Sequence, residues 1–391
     1  MGHRRVIGDL RVQVLMRRGG WRSWTILWPD GAVYGEADRF LQKHDGSGTQ
    51  RTYAYLLVDH LRWLEREALD LGSVQLRDLE RYMGLVGAQV NGPLGVPWRI
   101  GKRPYGHETL KTAAACLKGF YLDLAVLGSN AELGRQLALT RLPSRADRNR
   151  ALLGHVKRSA PANPLAPKVR RRRHPKLLPD GARDALLANA TTARDRMVVT
   201  WLLDGGFRIG ELCGLHLADL HLRERAACAQ ARVPHTHICH RRGNRNQASA
   251  KTKYPWALED GVITGGLIKR VSPAMIHTYF DYMTSEYPTA ADHGMLLVQL
   301  TGLGRGDPWT ADAARGMFAR MSRRAGLGHI TPHQCRHQFA TNVLDAADGN
   351  LLIARDAGGW ASTATVADIY AHIDIHDPAL TAALQTVWGE R

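Results

Sequence analysis

From Thr49 onward apolar residues recur at steps of three and four: Tyr53, Leu57, Leu61, Leu64 and Ala68. That stripe predicts an amphipathic helix running to about Gly72, with a second helix over 75–86. A Pro/Gly-rich stretch follows over 91–106, with Pro93, Pro97 and Pro104. Leu110, Ala114, Leu117, Tyr121 and Leu124 then form another helical stripe, stopped by Gly128. Between Thr140 and Lys176 the periodicity collapses, and Pro143, Pro161, Pro164, Pro167 and Pro175 favour an extended tether over a helix. Beyond the tether, helices are predicted over 180–202 and, after the Gly205-Gly206 break, over Phe207 to Leu217. Residues 226–258 carry alternating and β-branched positions (Val233, Thr236, Ile238) around a polar turn, which suggests a short antiparallel sheet. Helical patterning returns over 272–286, 310–325, 332–347 and 350–359, and no repeat of 20 to 50 residues is visible. The pattern divides the chain into an N-terminal extension (1–30), a helical domain (31–140), a linker (141–176) and a second domain (177–391) that is mainly α with a small antiparallel β-sheet.

Composition narrows the class. With 391 residues the chain has room for two or three cores, and 44% hydrophobic against 23% charged residues is a globular balance. No run of about 18 apolar residues is present to cross a bilayer, and the start lacks the apolar stretch of a secretory signal. The cysteines Cys116, Cys213, Cys228, Cys239 and Cys335 are widely spaced, without a C-x-x-C, as expected for free thiols in a reducing cytoplasm.

Charge then selects a partner. A net charge of +17 calls for a polyanion, and nucleic acid is preferred to an anionic membrane because no basic amphipathic helix or lipidation motif is evident. Arg4, Arg5, Arg11, Arg17, Arg18 and Arg22 face one acid, Asp9, in the first 25 residues. Lys168, Arg170, Arg171, Arg172 and Arg173 make the linker strongly basic. Such like charges repel unless a polyanion neutralises them, so the linker reads as a DNA-tracking segment, against the alternative of a solvated tether or localisation patch.

Candidate chemistry is sparse until the last third. No P-loop exists, since Gly101-Lys102 is followed by Arg103, and no H-E-x-x-H occurs. His235, His237, Cys239 and His240 lie close on one predicted strand but lack a second ligand pair at zinc spacing, so they read as a polar strand face and no metal is expected. Thr331-Pro332-His333-Gln334-Cys335-Arg336 begins a helix, with Thr331 as cap and His333 and Arg336 three apart on one face. Downstream stand Gly358-Gly359-Trp360 and Ile369-Tyr370-Ala371-His372; upstream stands Phe207-Arg208-Ile209-Gly210-Glu211-Leu212.

These segments, in this order, resemble the tyrosine recombinase (phage integrase) family over about 180–375. The resemblance implies a two-domain DNA clamp, a helical core-binding domain plus a catalytic domain. It assigns catalytic roles to Arg208, Lys251, His333, Arg336, Trp360 and Tyr370, with Glu211 and Lys253 in support. Trp360 stands where the family often has His, and its spacing to Tyr370 is one residue longer than is common. The implied reaction is site-specific strand exchange through a 3′-phosphotyrosyl bond, with no cofactor, ATP or metal. The implied assembly is a homotetramer on two double-stranded DNA sites.

Elementary chemistry agrees with those roles. Attack on a phosphodiester builds negative charge that two preorganised guanidiniums, Arg208 and Arg336, can hold. Glu211, one helical step from Arg208, holds its helix or orients the side chain, and His333 donates to the phosphate or takes the proton of Tyr370, whose ordinary pKa is about 10. The leaving 5′ oxygen needs a proton, which a lysine on a flexible hairpin can supply; the resemblance implies Lys251 rather than Lys253, since the family usually places its lysine at the first basic position of that hairpin. Trp360 can donate a hydrogen bond but cannot carry a proton. Arg170, Arg171, Arg172 and Arg173 would hold the DNA backbone. The alternatives are a type IB topoisomerase or telomere resolvase using the same residues, a non-catalytic DNA-binding protein on this fold, and a metal-dependent transposase.

Overall fold

The structure, a computed structural model, describes residues 9–88, 102–144, 147–148, 156, 158–168, 176–370 and 385. Two compact units divide the chain, Met1–Arg171 and Arg172–Arg391. The chain is mostly helical, with small antiparallel sheets in both units. Arg170 to Arg173, nearly half of the 141–176 linker and, apart from residue 385, the tail beyond Tyr370 lie outside the described residues.

In the first unit, the stretch read as a basic extension is folded from residue 11 to 27. Strands β1 (Arg11–Met16) and β2 (Arg22–Leu27) form an antiparallel hairpin with Arg11 opposite Leu27. Leu10 and Ile26 are fully buried in the unit's core, and the Leu10 carbonyl accepts from Arg62 Nε at 2.9 Å. Of β1's alternating apolar positions only Val12 packs against the core, while Val14 and Met16 stay exposed.

Helices α1 (Gly35–Gln42), α2 (Gly48–Arg66), α3 (Leu76–Gly87), α4 (His107–Val126) and α5 (Ala131–Leu137) follow. The stripes of α2 and α4 meet as the spacing predicts: Leu57, Leu61, Leu64, Ala114, Leu117 and Tyr121 are all buried. α2 stops at Arg66, short of the Gly72 end, because Ala68 turns into the left-handed region (φ 53°). The turn swings Val74 into the core, where only 1% of it remains exposed. A two-stranded pair, β3 (Thr140–Arg141) with β4 (Ala160–Pro161), completes the unit's described part.

In the second unit the helix expected over 180–202 is two, α6 (Ala182–Ala188) and α7 (Ala193–Gly205). Thr192 caps the second, its hydroxyl accepting from Asp195 N at 3.0 Å, so a local capping signal overrides the continuous apolar pattern. The helix expected over 207–217 is shorter, α8 (Ile209–Cys213), and a 3₁₀ turn at Leu217–Asp219 starts where the His216 amide meets the Asp219 carboxylate at 2.9 Å. The sheet is larger than its predicted span. β5 (Leu220–His221), β6 (His235–Ile238) and β9 (Leu267–Arg270) form one antiparallel sheet, with β7 (Trp256–Glu259) and β8 (Val262–Gly265) as a separate hairpin between β6 and β9.

Helices α9 (Pro273–Ser285), α10 (Ala311–Arg324), α11 (Pro332–Ala346), α12 (Leu351–Gly358) and α13 (Thr363–Tyr370) complete the described part of the unit. α7 lies at the centre of the core: Val198, Trp201 and Leu202 are fully buried, and Trp201 Nε1 donates to the Met275 carbonyl of α9 at 3.0 Å. Burying Phe207 beside Trp201 contributes roughly 1.5–3 kcal/mol and fixes the turn that carries Arg208.

Candidate active site

The site forms where α7 ends. Gly206 closes that helix in the left-handed region (φ 57°), and a Cβ there would stand 2.3 Å from the Phe339 ring, so only glycine fits. The next turn sets Arg208 at the N-cap of α8, three residues before Glu211. The Glu211 side chain is 1% exposed and accepts from both the Arg208 backbone N–H (2.9 Å) and its Nη1 (2.5 Å). The same carboxylate lies 4.0 Å from Nη1 of Arg336, on α11. One buried acid is thus shared by two guanidiniums, and Arg208, 32% exposed, reaches from it toward solvent.

Arg336 is 1% exposed. It donates to the carbonyls of Gly206 (2.5 Å) and Gly358 (2.8 Å), which end α7 and α12. These are the negative poles of two helices, where a cation is favoured. The Trp360 ring lies against the guanidinium, 4.2 Å from centroid to carbon, a cation–π contact that fixes its plane. Gly358 must be glycine for this, because a Cβ would fall 1.4 Å from a Trp360 ring atom.

A residue that the sequence reading passed over completes the cluster. Lys269 on β9 is 3% exposed, and its Nζ donates to the carbonyls of Gly205 (2.7 Å) and Ala357 (3.3 Å), each one residue before an acceptor of Arg336. Burial, then the charge of Arg336, push Lys269 down to about 7, against the pull of Glu211. Its signal in the sequence is slight: alternation sets Lys269 on the same strand face as Leu267 and Val271.

His333 opens α11, where Thr331 N donates to Gln334 Oε1 at 2.9 Å. His333 is exposed, yet partial desolvation and the charges of Arg336 and Arg208 lower its pKa. Its ring meets that of His337 edge-on at 4.3 Å, and His337 is lowered further, to about 4, by burial first and His333 next. Around Glu211, then, positive charge exceeds negative charge, as expected of a pocket for an anion.

Lys251 and Lys253 are exposed in the loop between β6 and β7 rather than on a strand. The loop is pinned beside α8: Asn246 Nδ2 donates to the Cys213 (2.8 Å) and Trp309 (2.7 Å) carbonyls, and the Ser249 carbonyl would stand 3.1 Å from a Cβ on Gly210. Lys251 therefore follows a segment in contact with the helix that Arg208 begins. Tyr370 ends α13, one turn beyond Val366, which is fully buried in a cluster with Leu344 and Ala354. The Tyr370 side chain lies outside the described residues.

The profile of the phage integrase family matches residues 267–376, the stretch that holds Lys269, His333, Arg336, Trp360 and Tyr370. Over that stretch the chain is similar to phage integrases. Transposase A from transposon Tn554 of Staphylococcus aureus is 24% identical over 186 residues, covering 48% of this chain and 45% of that protein. The tyrosine recombinase XerC of Vibrio vulnificus is 25% identical over 181 residues, 46% of each chain. The chain thus spans about half the length of these curated relatives.

Among solved structures, the Tn1549 transposon integrase in complex with transposon right end DNA superposes with a TM-score of 0.52 at 17% identity, covering 90% of this chain and 98% of that one. The XerH site-specific recombinase in a post-cleavage complex gives 0.52 at 15% identity, covering 87% and 80%. Both likenesses are of fold. Among the described residues, no helix is long and apolar enough to cross a membrane.

Proposed function

We propose that this chain is a site-specific DNA recombinase that cuts and rejoins double-stranded DNA through a 3′-phosphotyrosyl bond on Tyr370. The observation that carries the reading is the pairing of Arg208 and Arg336 through one buried carboxylate, Glu211, at a turn where positive charge is in excess. Such a pair is preorganised for the charge that develops on a phosphodiester under attack. Tyr370 Oη attacks phosphorus, the bond to the 5′ oxygen breaks, and that oxygen takes a proton from Lys251, with Lys253 as the neighbouring alternative. His333, its pKa lowered, is a neutral imidazole at pH 7 and accepts the phenolic proton. Trp360 holds the plane of Arg336, and Lys269 holds the two helix ends on which Arg336 rests.

The released hydroxyl then attacks the partner strand, so phosphodiester energy is conserved and the reacting phosphate needs no nucleotide or metal. Residues 31–140 serve as the core-binding domain, 177–391 as the catalytic domain, and Arg170 to Arg173 contact backbone phosphates between them. The working assembly is a homotetramer on two DNA sites in the cytoplasm. Sequencing of the junctions formed in magnesium-free buffer tests the reading. Reciprocal junctions at a defined site are expected; strict dependence on added magnesium, or nicking without exchange, would overturn it.

A further inference from the structure

Away from the arginine cluster, β5 and β6 bring a second set of reactive side chains together. His221 on β5 is the register partner of His235 on β6, and His237 follows two residues later on the same strand face. The loop over 222–234 returns so that Cys228 Sγ stands 3.2 Å from His235 Nε2. The three imidazole centroids are mutually 4.9–5.0 Å apart. One ligand atom from each of His221, Cys228, His235 and His237 lies within 4.8 Å of all the others. Cys239 and His240, grouped with them by sequence proximity, fall outside this cluster, and the second ligand pair missing from the strand comes from the neighbouring strand and loop.

The hydrogen bonding is that of a ligand set. His235 Nδ1 is 2.7 Å from the Val233 carbonyl and His237 Nδ1 is 2.7 Å from the Gly265 carbonyl. Each ring therefore carries its proton on Nδ1 and turns the Nε2 lone pair inward, the arrangement that orients metal-bound histidines. His237 is fully buried, and Nε2 of both His237 and His221 is buried without a hydrogen-bond partner. Stranded lone pairs are costly inside a protein, and two aimed into one cluster point to a ligand.

We propose that His221, Cys228, His235 and His237 bind one zinc ion as a closed structural site. Three imidazoles and a thiolate, with no oxygen donor, suit zinc rather than magnesium or calcium. Tetrahedral zinc sets its ligand atoms roughly 3.3–3.6 Å apart. The Cys228–His235 pair already has about that span, and the remaining atoms close on it by about an ångström through side-chain rotation. Four protein ligands leave no position for substrate, so the ion pins rather than reacts. It fastens the loop of Arg223, Arg225 and Arg232 to the sheet, where Gln230 Oε1 also accepts from Gly265 N at 2.8 Å. Thr236, between two of the ligands, is the register partner of Lys269, so the ion steadies the strand beside the one that supports Arg336.

The test uses the full-length, untagged chain, stripped with a chelator and titrated with Co²⁺. One equivalent is expected to bind, with the visible absorption of tetrahedral cobalt and a sulfur-to-metal charge-transfer band, and Zn²⁺ is expected to displace it. Cys228→Ser is close to isosteric and should remove the charge-transfer band and weaken Co²⁺ binding at least about tenfold. His237→Ala should abolish binding, and Cys239→Ser should change nothing. If His237→Ala fails to fold, the Cys228→Ser and Cys239→Ser pair decides. Binding of less than half an equivalent by the wild-type chain, a charge-transfer band that survives Cys228→Ser, or its loss in Cys239→Ser would overturn the proposal.

Discussion

Lys269→Met should change the way stability depends on pH. The wild-type amine sits between the Gly205 and Ala357 carbonyls, and its pKa is pushed from 10.5 to about 7 by burial and by Arg336. Below pH 7 it is charged in both folded and unfolded chains. Between 7 and 10.5 the unfolded chain binds a proton that the folded chain does not, so stability rises with pH by about 1.4 kcal/mol per unit. Over that window the shift is worth roughly 5 kcal/mol; from pH 6.5 to pH 9 it is worth about 2.5 kcal/mol.

Methionine keeps the length and apolar stem without the titration. The wild type should therefore gain about 2.5 kcal/mol on the variant over that range. The assay is urea unfolding at both pH values, read by hydrogen exchange in peptides of the second unit. Comparing the two proteins cancels the opposite alkaline trend of Cys213 and Cys335, both pushed up to about 12 by burial. Parallel pH profiles for the two proteins would refute the assignment of Lys269 as a strained buried cation.

Other consequences are more direct. Glu211→Gln places an amide against two guanidiniums and should cost about 2–3 kcal/mol of stability, with a roughly 100-fold fall in strand cleavage measured in single turnover. Gly206→Ala meets both the left-handed φ and the Phe339 ring and should lower stability by about 2–4 kcal/mol in urea titration. Replacing Arg170, Arg171, Arg172 and Arg173 with Ala should reduce the salt dependence of DNA binding, each lost phosphate contact removing about 0.9 from the log–log slope. An unchanged slope would take the linker out of the interface.

What could be read from the sequence was what short-range chemistry decides. Thr331-Pro332 and Ser272-Pro273 start helices where they stand, and Arg208 with Glu211 three residues on forms the pair that the spacing suggests. What escaped depends on strand register or distant burial. Lys269 looks like a surface lysine until β9 pairs with β6 and the ends of α7 and α12 converge on its amine. His221 and Cys228 join His235 and His237 only once β5 aligns with β6 and the intervening loop closes. The hairpin over 11–27 escaped because Val14 and Met16 are exposed, so no continuous apolar face marks β1, and arginines dominate the segment's composition.

The most direct measurement is identification of the residue that becomes attached to DNA. A nicked suicide substrate releases a short strand on cleavage and traps the covalent intermediate, and peptide mapping of the adduct should find Tyr370 alone. Tyr370→Phe, which lacks only the attacking oxygen, should bind the same DNA and form no adduct. An adduct on another tyrosine, or undiminished cleavage by the Phe variant, would contradict the account.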